Sequence, residues 1–269
     1  VHAQRRRHDL YNSEPDDRTG GKSWNLFNPR LGVIWQAGAD WQVFGNVSRS
    51  AEPPTFGDMQ FAGDDALARL RPQRATTLEL GTRGQAGDLA WDVAVYRARI
   101  RNELQCVSAP FNICNQTTNL DRTVHQGLEA GLHWTALRDV FTRGQQADSL
   151  RINAAYTYSD FHFSGDHQWG SRRIPGVPRH LLRAEAVYHH PSGFYIGPNL
   201  EWVPQAYFAD NANTLRTQAY ALLGLRAGWE AFVSSVNVLL TAAGALLPFL
   251  AVAALIGIPL LLWRRRRRQ

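Results

Sequence analysis

Two segments decide the fold: Leu89-Ala90-Trp91-Asp92-Val93-Ala94-Val95-Tyr96 and, beyond a long loop, Val124-His125-Gln126-Gly127-Leu128-Glu129-Ala130-Gly131-Leu132-His133-Trp134. In the first, Leu89, Trp91, Val93 and Val95 share one parity, and the smaller or polar Ala90, Asp92, Ala94 and Tyr96 share the other. Successive side chains of a strand point to opposite faces, so this is a strand with one oily and one wet face. The second segment repeats the pattern, with Val124, Leu128, Ala130, Leu132 and Trp134 against His125, Gly127, Glu129, Gly131 and His133. A soluble sandwich hides its apolar parity in a core. Here that parity carries Trp91 and Trp134, one on each arm, as expected where a barrel wall meets lipid headgroups.

The same alternation recurs outward from this hairpin. Val1 to Arg30 is polar and turn-rich and reads as a loop feeding a strand. Leu31, Val33 and Trp35 then share a parity, Ala37 to Asp40 make a tight turn, and Trp41, Val43 and Val47 return. Ser50 to Pro72 is a long loop, Thr76 to Arg83 and Leu89 to Gln105 are strands around the Gly84 to Asp88 turn, and Thr123 to Trp134 follows the next loop. Strands starting at Leu150, Leu182, Phe194 and Tyr220 complete the series, with Ser159 to Arg179 and Tyr207 to Thr217 as further long loops. The expectation is an all-β, antiparallel transmembrane β-barrel, a partial meander of about ten strands joined alternately by short turns and long loops.

Composition agrees. Of 269 residues, 11% are aromatic and 19% charged, which suits a wall that is half lipid-facing and half polar and argues against disorder. The net charge is +6, but Arg264 to Arg268 supply five of those charges; subtracting five from six leaves +1 and no basic domain for nucleic acid. Cys106 and Cys114 are the only cysteines. Beside Pro110, Asn112 and Asn115 they read as a disulfide closing a loop outside the reducing cytoplasm. The rival reading, a metal pair, lacks His or Cys partners at ligand spacing. No secretory signal is visible and the first residue is Val1, so the sequence reads as a piece of something longer.

Certain phrases go beyond periodicity. Phe27-Asn28-Pro29-Arg30-Leu31-Gly32, then Phe44-Gly45-Asn46-Val47-Ser48-Arg49-Ser50 followed by Glu52-Pro53-Pro54-Thr55-Phe56, resemble the strand and loop phrasing of TonB-dependent outer-membrane receptors. So do Leu70-Arg71-Pro72-Gln73 with Leu78-Glu79-Leu80-Gly81, and Asn119-Leu120-Asp121-Arg122-Thr123 with Gln126-Gly127-Leu128-Glu129. The resemblance spans Leu10 to Trp229 and is strongest to siderophore and ferric-citrate receptors. It implies a barrel of about 22 strands occluded by a plug. It also implies a bacterial outer-membrane location, contact with the TonB complex in the intact family, and energised uptake of a ferric siderophore or similar large solute. Residues 1–230 then correspond to the C-terminal part of such a barrel, without the plug and the TonB-contacting segment. The ferric chelate is cargo, and no cofactor is expected on the chain itself.

After Glu230 the pattern changes. Phe232 to Trp263 is almost unbroken apolar sequence, followed by Arg264 to Arg268. Residues 231–269 therefore read as a transmembrane helix, most strongly over Leu239 to Trp263, with an Arg-rich cytoplasmic-type tail. Such a helix favours the inner membrane, at odds with the barrel, and marks a junction near Glu230 to Phe232.

No enzyme motif is present: there is no Gly-x-Ser-x-Gly, His-Glu-x-x-His, phosphate-cradling glycine loop or four-ligand zinc spacing. Ser159, Asp160 and His162 are close in sequence but read as ordinary loop residues, and His189 and His190 face opposite sides of a strand. Glu79, Asp92 and Glu129 on the wet parity read as wall partners of Arg83, Arg97 or Arg99. The loops are richer. Phe56, Met59 and Phe61 accompany Arg69, Arg71 and Arg74, and Trp169 accompanies Arg172 and Arg173. Aromatic stacking area beside guanidinium forks suits a bulky anionic chelate, and Arg-rich loops also suit the phosphates of lipopolysaccharide. The expected partners are thus outer-membrane lipid and lipopolysaccharide, TonB and a siderophore-type ligand. Two other readings compete: a small closed barrel with an enzymatic or adhesive role, and an inner-membrane-anchored periplasmic β binding module.

Overall fold

The computed structural model describes residues 2–10, 20–60, 69–109, 113–142, 147–229, 232 and 234–248. In chain order the elements are β1 (His2–Leu10), β2 (Gly20–Asn28), β3 (Arg30–Gly38), β4 (Trp41–Glu52), α1 (Phe56–Gln60), β5 (Gln73–Ala86), β6 (Leu89–Arg101), β7 (Leu104–Ala109) and β8 (Ile113–Asn119). They continue with β9 (Arg122–Arg138), β10 (Ser149–Phe163), β11 (His180–His189), β12 (Phe194–Val203) and β13 (Tyr220–Trp229). Nine strands form one sheet in the order β13-β12-β11-β10-β9-β6-β5-β4-β3, and β1-β2 and β7-β8 are separate hairpins. The sheet is an antiparallel meander, open among the described residues, and the β7-β8 hairpin is inserted between the neighbours β6 and β9. The chain divides into two compact units: residues Val1–Ala136, Ile152–Ala186 and Asn199–Gly224 in one, Leu137–Arg151, Val187–Pro198 and Leu225–Gln269 in the other.

In the first unit the registers of β4, β5, β6 and β9 line side chains into rows across the sheet. On one face the rows read Trp41–Gly84–Trp91–Leu132, Val43–Thr82–Val93–Ala130, Gly45–Leu80–Val95–Leu128 and Val47–Leu78–Arg97–Gln126. On the other they read Gln42–Arg83–Asp92–Gly131, Phe44–Gly81–Ala94–Glu129 and Asn46–Glu79–Tyr96–Gly127. Along β5 exposure follows parity in the inverse of a soluble protein, whereas on β6 and β9 Asp92 and Glu129 are exposed and Val124 is buried. Leu78 and Leu80 are 56% and 58% exposed, while Glu79 between them is half-buried. Two glycines make this polar face possible: Gly81 lies under the Phe44 ring, and a Cβ at Gly127 would run into the Tyr158 carbonyl oxygen and the Tyr96 hydroxyl. Arg83 sits opposite Asp92 as the wet parity predicts, but Arg97 and Arg99 stand on the apolar parity and cannot serve those acids.

In the second unit, Asp148 closes the turn between β9 and β10. It is fully buried and accepts the N–H of Val140 (2.7 Å) and Phe141 (2.9 Å) and the hydroxyl of Tyr188 (2.6 Å). Burial pushes its carboxyl up, but the Tyr188 hydrogen bond and those backbone donors outweigh it and hold the group below the usual carboxylate range. Trp229 Nε1 donates to the Ser192 carbonyl (2.7 Å).

Several sequence expectations change. Within the stretch expected to be a feeding loop, residues 2–10 and 20–28 are strands: β1 and β2 pair from His2↔Asn28 to Leu10↔Gly20. Ladder bonds belong to the backbone, so a polar strand pairs as well as an apolar one. The Ser50 to Pro72 segment holds α1, started by Thr55 and Asp58, which exchange side chain-to-backbone bonds (Asp58 N–H to Thr55 Oγ1, 3.2 Å; Thr55 N–H to Asp58 Oδ2, 2.8 Å). The cysteine loop is the β7-β8 hairpin, with Cys106 opposite Thr117 and Cys114 opposite Ser108. The two cysteine side chains lie outside the described residues. Residues 234–248 are helical, and among the described residues no helix is long and apolar enough to cross a membrane. Most of the expected span Leu239 to Trp263, and the tail Arg264 to Arg268, lie outside the described residues.

Candidate functional site

The long connections at one end of the first unit are tied together by side chains that bind distant backbone. Asn213, at a left-handed φ of 57°, accepts the Arg173 N–H (2.8 Å) and donates to the Arg173 carbonyl (2.9 Å). Asp210 holds the loop that presents Asn213, accepting the N–H of Thr214 (2.9 Å) and Leu215 (2.7 Å) and the Thr214 hydroxyl (2.7 Å). The Thr214 side chain is the main reason its carboxyl lies below the usual range. Gln105 of β7 and Asn211 exchange amide hydrogen bonds at 3.2 Å. His167 and Asp121 form a second latch. The His167 N–H and Nδ1 approach Asp121 Oδ2 at 2.9 and 2.8 Å, which raises the imidazole above its usual pKa and lowers the carboxyl.

These clamps frame a cavity of about 310 Å³ lined by Phe161, Arg173, Arg179, Tyr207, Phe208 and Arg216, among others. Three arginines line it, and no Asp or Glu does. Arg216 lies over the Phe208 ring at 4.4 Å and Arg179 over Tyr158 at 5.7 Å. Arg173 is shared with Asp160 at 3.8 Å. Arg179 Nη2 donates to the Tyr158 hydroxyl (3.3 Å), whereas its Nε is buried with no partner among the described residues. Such an orphaned charged donor is costly unless an acceptor arrives. Behind Phe161, His125 stacks at 4.3 Å and its Nε2 approaches Glu103 at 3.3 Å. Burial pushes the Glu103 carboxyl up, but hydrogen bonds from His125 and Thr123 prevail and hold it low.

Of the expected loop residues whose side chains are described, only Arg173 lines this cavity. Trp169 packs on Phe163 at 6.2 Å, and Arg172 is exposed. Arg71 is exposed and bound through its backbone to Asn119, with its N–H at 2.8 Å and its carbonyl at 2.9 Å; Arg69 is exposed, as is Phe56 at the start of α1. The side chain of Met59 and the whole of Phe61 lie outside the described residues. Arg179 and Arg216 were missed because one ends a loop and the other sits beyond the aromatic-rich segments. Ser159, Asp160 and His162 lie on β10 rather than in a loop, with Ser159 on the opposite parity from the other two, so they do not form a catalytic set. Asp121, Asp166 and His167 bring donor atoms within 4.8 Å of one another. They are engaged already: Asp166 accepts the N–H of Asp121, Gln168 and Trp169, and Asp121 accepts from His167, so the cluster acts as a loop latch.

A family model described as TonB dependent receptor-like, beta-barrel matches residues 6–243. The chain belongs to this family. Its members are outer-membrane receptors and transporters rather than enzymes, consistent with the missing enzyme motifs. Among curated relatives, the metal-pseudopaline receptor CntO of Pseudomonas aeruginosa is 25% identical over 191 residues, covering 70% of this chain and 24% of the relative. The catecholate siderophore receptor Fiu of Escherichia coli is 23% identical over 192 residues, covering 68% and 23%. The chain thus spans about a quarter of the length of these relatives. Among solved structures, the ferric citrate transporter FecA in its unliganded form superposes with a TM-score of 0.64 at 23% identity, covering 83% of this chain and 33% of FecA. Likeness at that identity speaks for the fold alone, a partial TonB-dependent barrel.

Proposed function

We propose that the chain is the loop-bearing wall of a TonB-dependent transporter and that the Arg173–Arg179–Arg216 cavity captures an anionic ferric chelate of siderophore or citrate type. The reading is supported above all by the buried Nε of Arg179, unpartnered among the described residues, on a residue that lines a cavity with two further arginines and no Asp or Glu. Guanidinium forks bind planar carboxylate or catecholate oxygens in pairs, and Phe161, Tyr207 and Phe208 add stacking area. In the intact transporter the TonB complex supplies the force for uptake, and the apolar face contacts membrane lipid and lipopolysaccharide. Residues 231–269 fit a membrane helix with an Arg-rich tail, and Val238, Leu239, Leu240, Leu246 and Leu247 are exposed on their described part.

The test is equilibrium binding of ferric citrate and of a ferric catecholate to the chain in detergent. Arg179→Gln and Arg216→Gln should each weaken binding about tenfold or more, the effect of losing a charge-assisted pair. Unchanged affinity in both variants would remove the cavity from the ligand path.

A further inference from the structure

One titratable pair at the long-loop end takes no part in the loop clamps and stands behind the chelate cavity. Glu103 follows Asn102, whose left-handed φ of 53° turns the chain between β6 and β7. The backbone there is fixed from β8 and the residue after it: the Asn119 side chain donates to the Asn102 carbonyl (2.8 Å), and the Leu120 N–H to the Glu103 carbonyl (2.8 Å). The Glu103 carboxylate so placed meets two groups of β9. It accepts the hydroxyl of the fully buried Thr123, and it lies 3.3 Å from His125 Nε2. The His125 imidazole lies flat on the Phe161 ring, with centroids 4.3 Å apart and planes 7° from parallel. Phe161 lines the cavity. A carboxylate, an imidazole and an aromatic ring thus form one contact series that ends at the anion-collecting space.

The charge of that series depends on one proton. His125 Nε2 is buried and makes no aligned hydrogen bond among the described residues, so a proton there meets the Glu103 carboxylate. Burial pushes the Glu103 carboxyl up, but hydrogen bonds from His125 and Thr123 prevail and keep it ionised at neutral pH. With a neutral imidazole the pair carries a net charge of −1 behind a cavity lined by Arg173, Arg179 and Arg216, and it opposes a bound anion. With an imidazolium the pair is neutral and the arginines act unopposed.

The surrounding elements leave this pair to itself. β6 places Ala98 opposite His125, with Ile100 and Tyr96 in the flanking rows, and Tyr96 bonds Ser159. On β10, Asp160 and His162 stand on the parity opposite to Phe161, where they face each other at 3.8 Å. His167 is latched to Asp121, and His180 to the Tyr156 hydroxyl at 2.8 Å.

We propose that His125 and Glu103 form a proton-operated control of the cavity: a proton on the imidazole cancels the carboxylate behind Phe161, and anion capture strengthens on mild acidification. The pair acts on the same cavity as the chelate-capture reading and rests on it. By linkage, a bound anion favours the proton on His125 to the same extent.

The test is equilibrium binding of a trisulfonated aromatic anion, whose own charge is constant, to the chain in detergent at about pH 8 and about pH 5.5, the range in which imidazoles change charge. Affinity should rise about fivefold on acidification, the effect of one partly screened unit charge. Two variants should flatten the profile at opposite levels: Glu103→Gln at the higher, acid-pH affinity, and His125→Phe, which keeps a stacked ring, at the lower one. A purely structural role would lower affinity in both. Equal affinity of the unmodified chain at the two pH values would overturn the control and leave the capture reading standing. A pH response retained in His125→Phe would also overturn it. Binding at neither pH, or binding that survives Arg179→Gln and Arg216→Gln, would overturn it together with the capture reading.

Discussion

In the wall panel of β4, β5, β6 and β9 a residue's surroundings follow from its parity and register, so that Glu79 meets Asn46 across the strand pair (2.7 Å) because both stand on the wet side. In the loop cluster nothing local sets the neighbours: Arg173 is held by Asn213 across a separation of 40 residues and Asp121 by His167 across 46. The wall is a repeating device and the cluster an assembled one. They should therefore fail differently, the wall through packing and parity, the cluster through loss of single clamps.

The largest effect is expected in the wall. Gly127→Val places a branched side chain against the Tyr158 backbone and the Tyr96 ring and should cost about 3 kcal/mol, read as a lower urea midpoint of the vesicle-folded chain. A wild-type midpoint would mean that the β9–β10 approach is looser than described. Asn213→Ala tests the cluster: chelate affinity should fall several-fold through a disordered Arg173, with the urea midpoint little changed. A parallel loss of stability would show that the cluster and wall are one cooperative body after all.

The alternation of Leu89 to Tyr96 and of Val124 to Trp134 was enough to read the wall, because a sheet with two unlike faces imposes a two-residue period on each strand. The same reasoning misplaced Arg97 and Arg99, since it assigned them by charge to the wet parity when register puts them outside. Loop residues have no period. Trp169 and Arg172 looked like ligand groups by composition, whereas the cavity recruits Arg179 and Arg216, whose role depends on which loops the Asn213 and Asp210 clamps bring together. The β1-β2 hairpin was missed for a related reason: His2–Leu10 carries no apolar alternation and is defined by backbone pairing alone.

Smaller effects concern pH and redox state. The Asp148 carboxyl is held low, so it stabilises its turn above the ordinary carboxylate pKa of about 4 and loses that contribution as pH falls through its lowered folded value. Amide exchange of Val140 and Phe141 should accelerate selectively there, and an unchanged protection pattern would remove Asp148 from the turn. The His167–Asp121 latch has two edges. The raised His167 stabilises it below the ordinary imidazole pKa of about 6.5, a contribution lost as pH rises through the folded value, and the lowered Asp121 limits it at acid pH. Both groups are exposed, so the change should be confined to the chemical shifts around Asp121 and His167. Cys106 and Cys114 are proposed as a disulfide closing the β7-β8 hairpin; maleimide labelling of the unreduced, denatured chain should fail at both, and labelling at either would exclude the bond.

The most direct test of the two-faced wall is a cysteine scan along β5, replacing Thr77, Leu78, Glu79, Leu80 and Gly81 one at a time in the vesicle-folded chain. A bilayer-restricted reagent should label positions 78 and 80 and spare 77, 79 and 81, the parity on which Glu79 stands. Labelling without a two-residue period, or with the parities exchanged, would contradict the membrane wall.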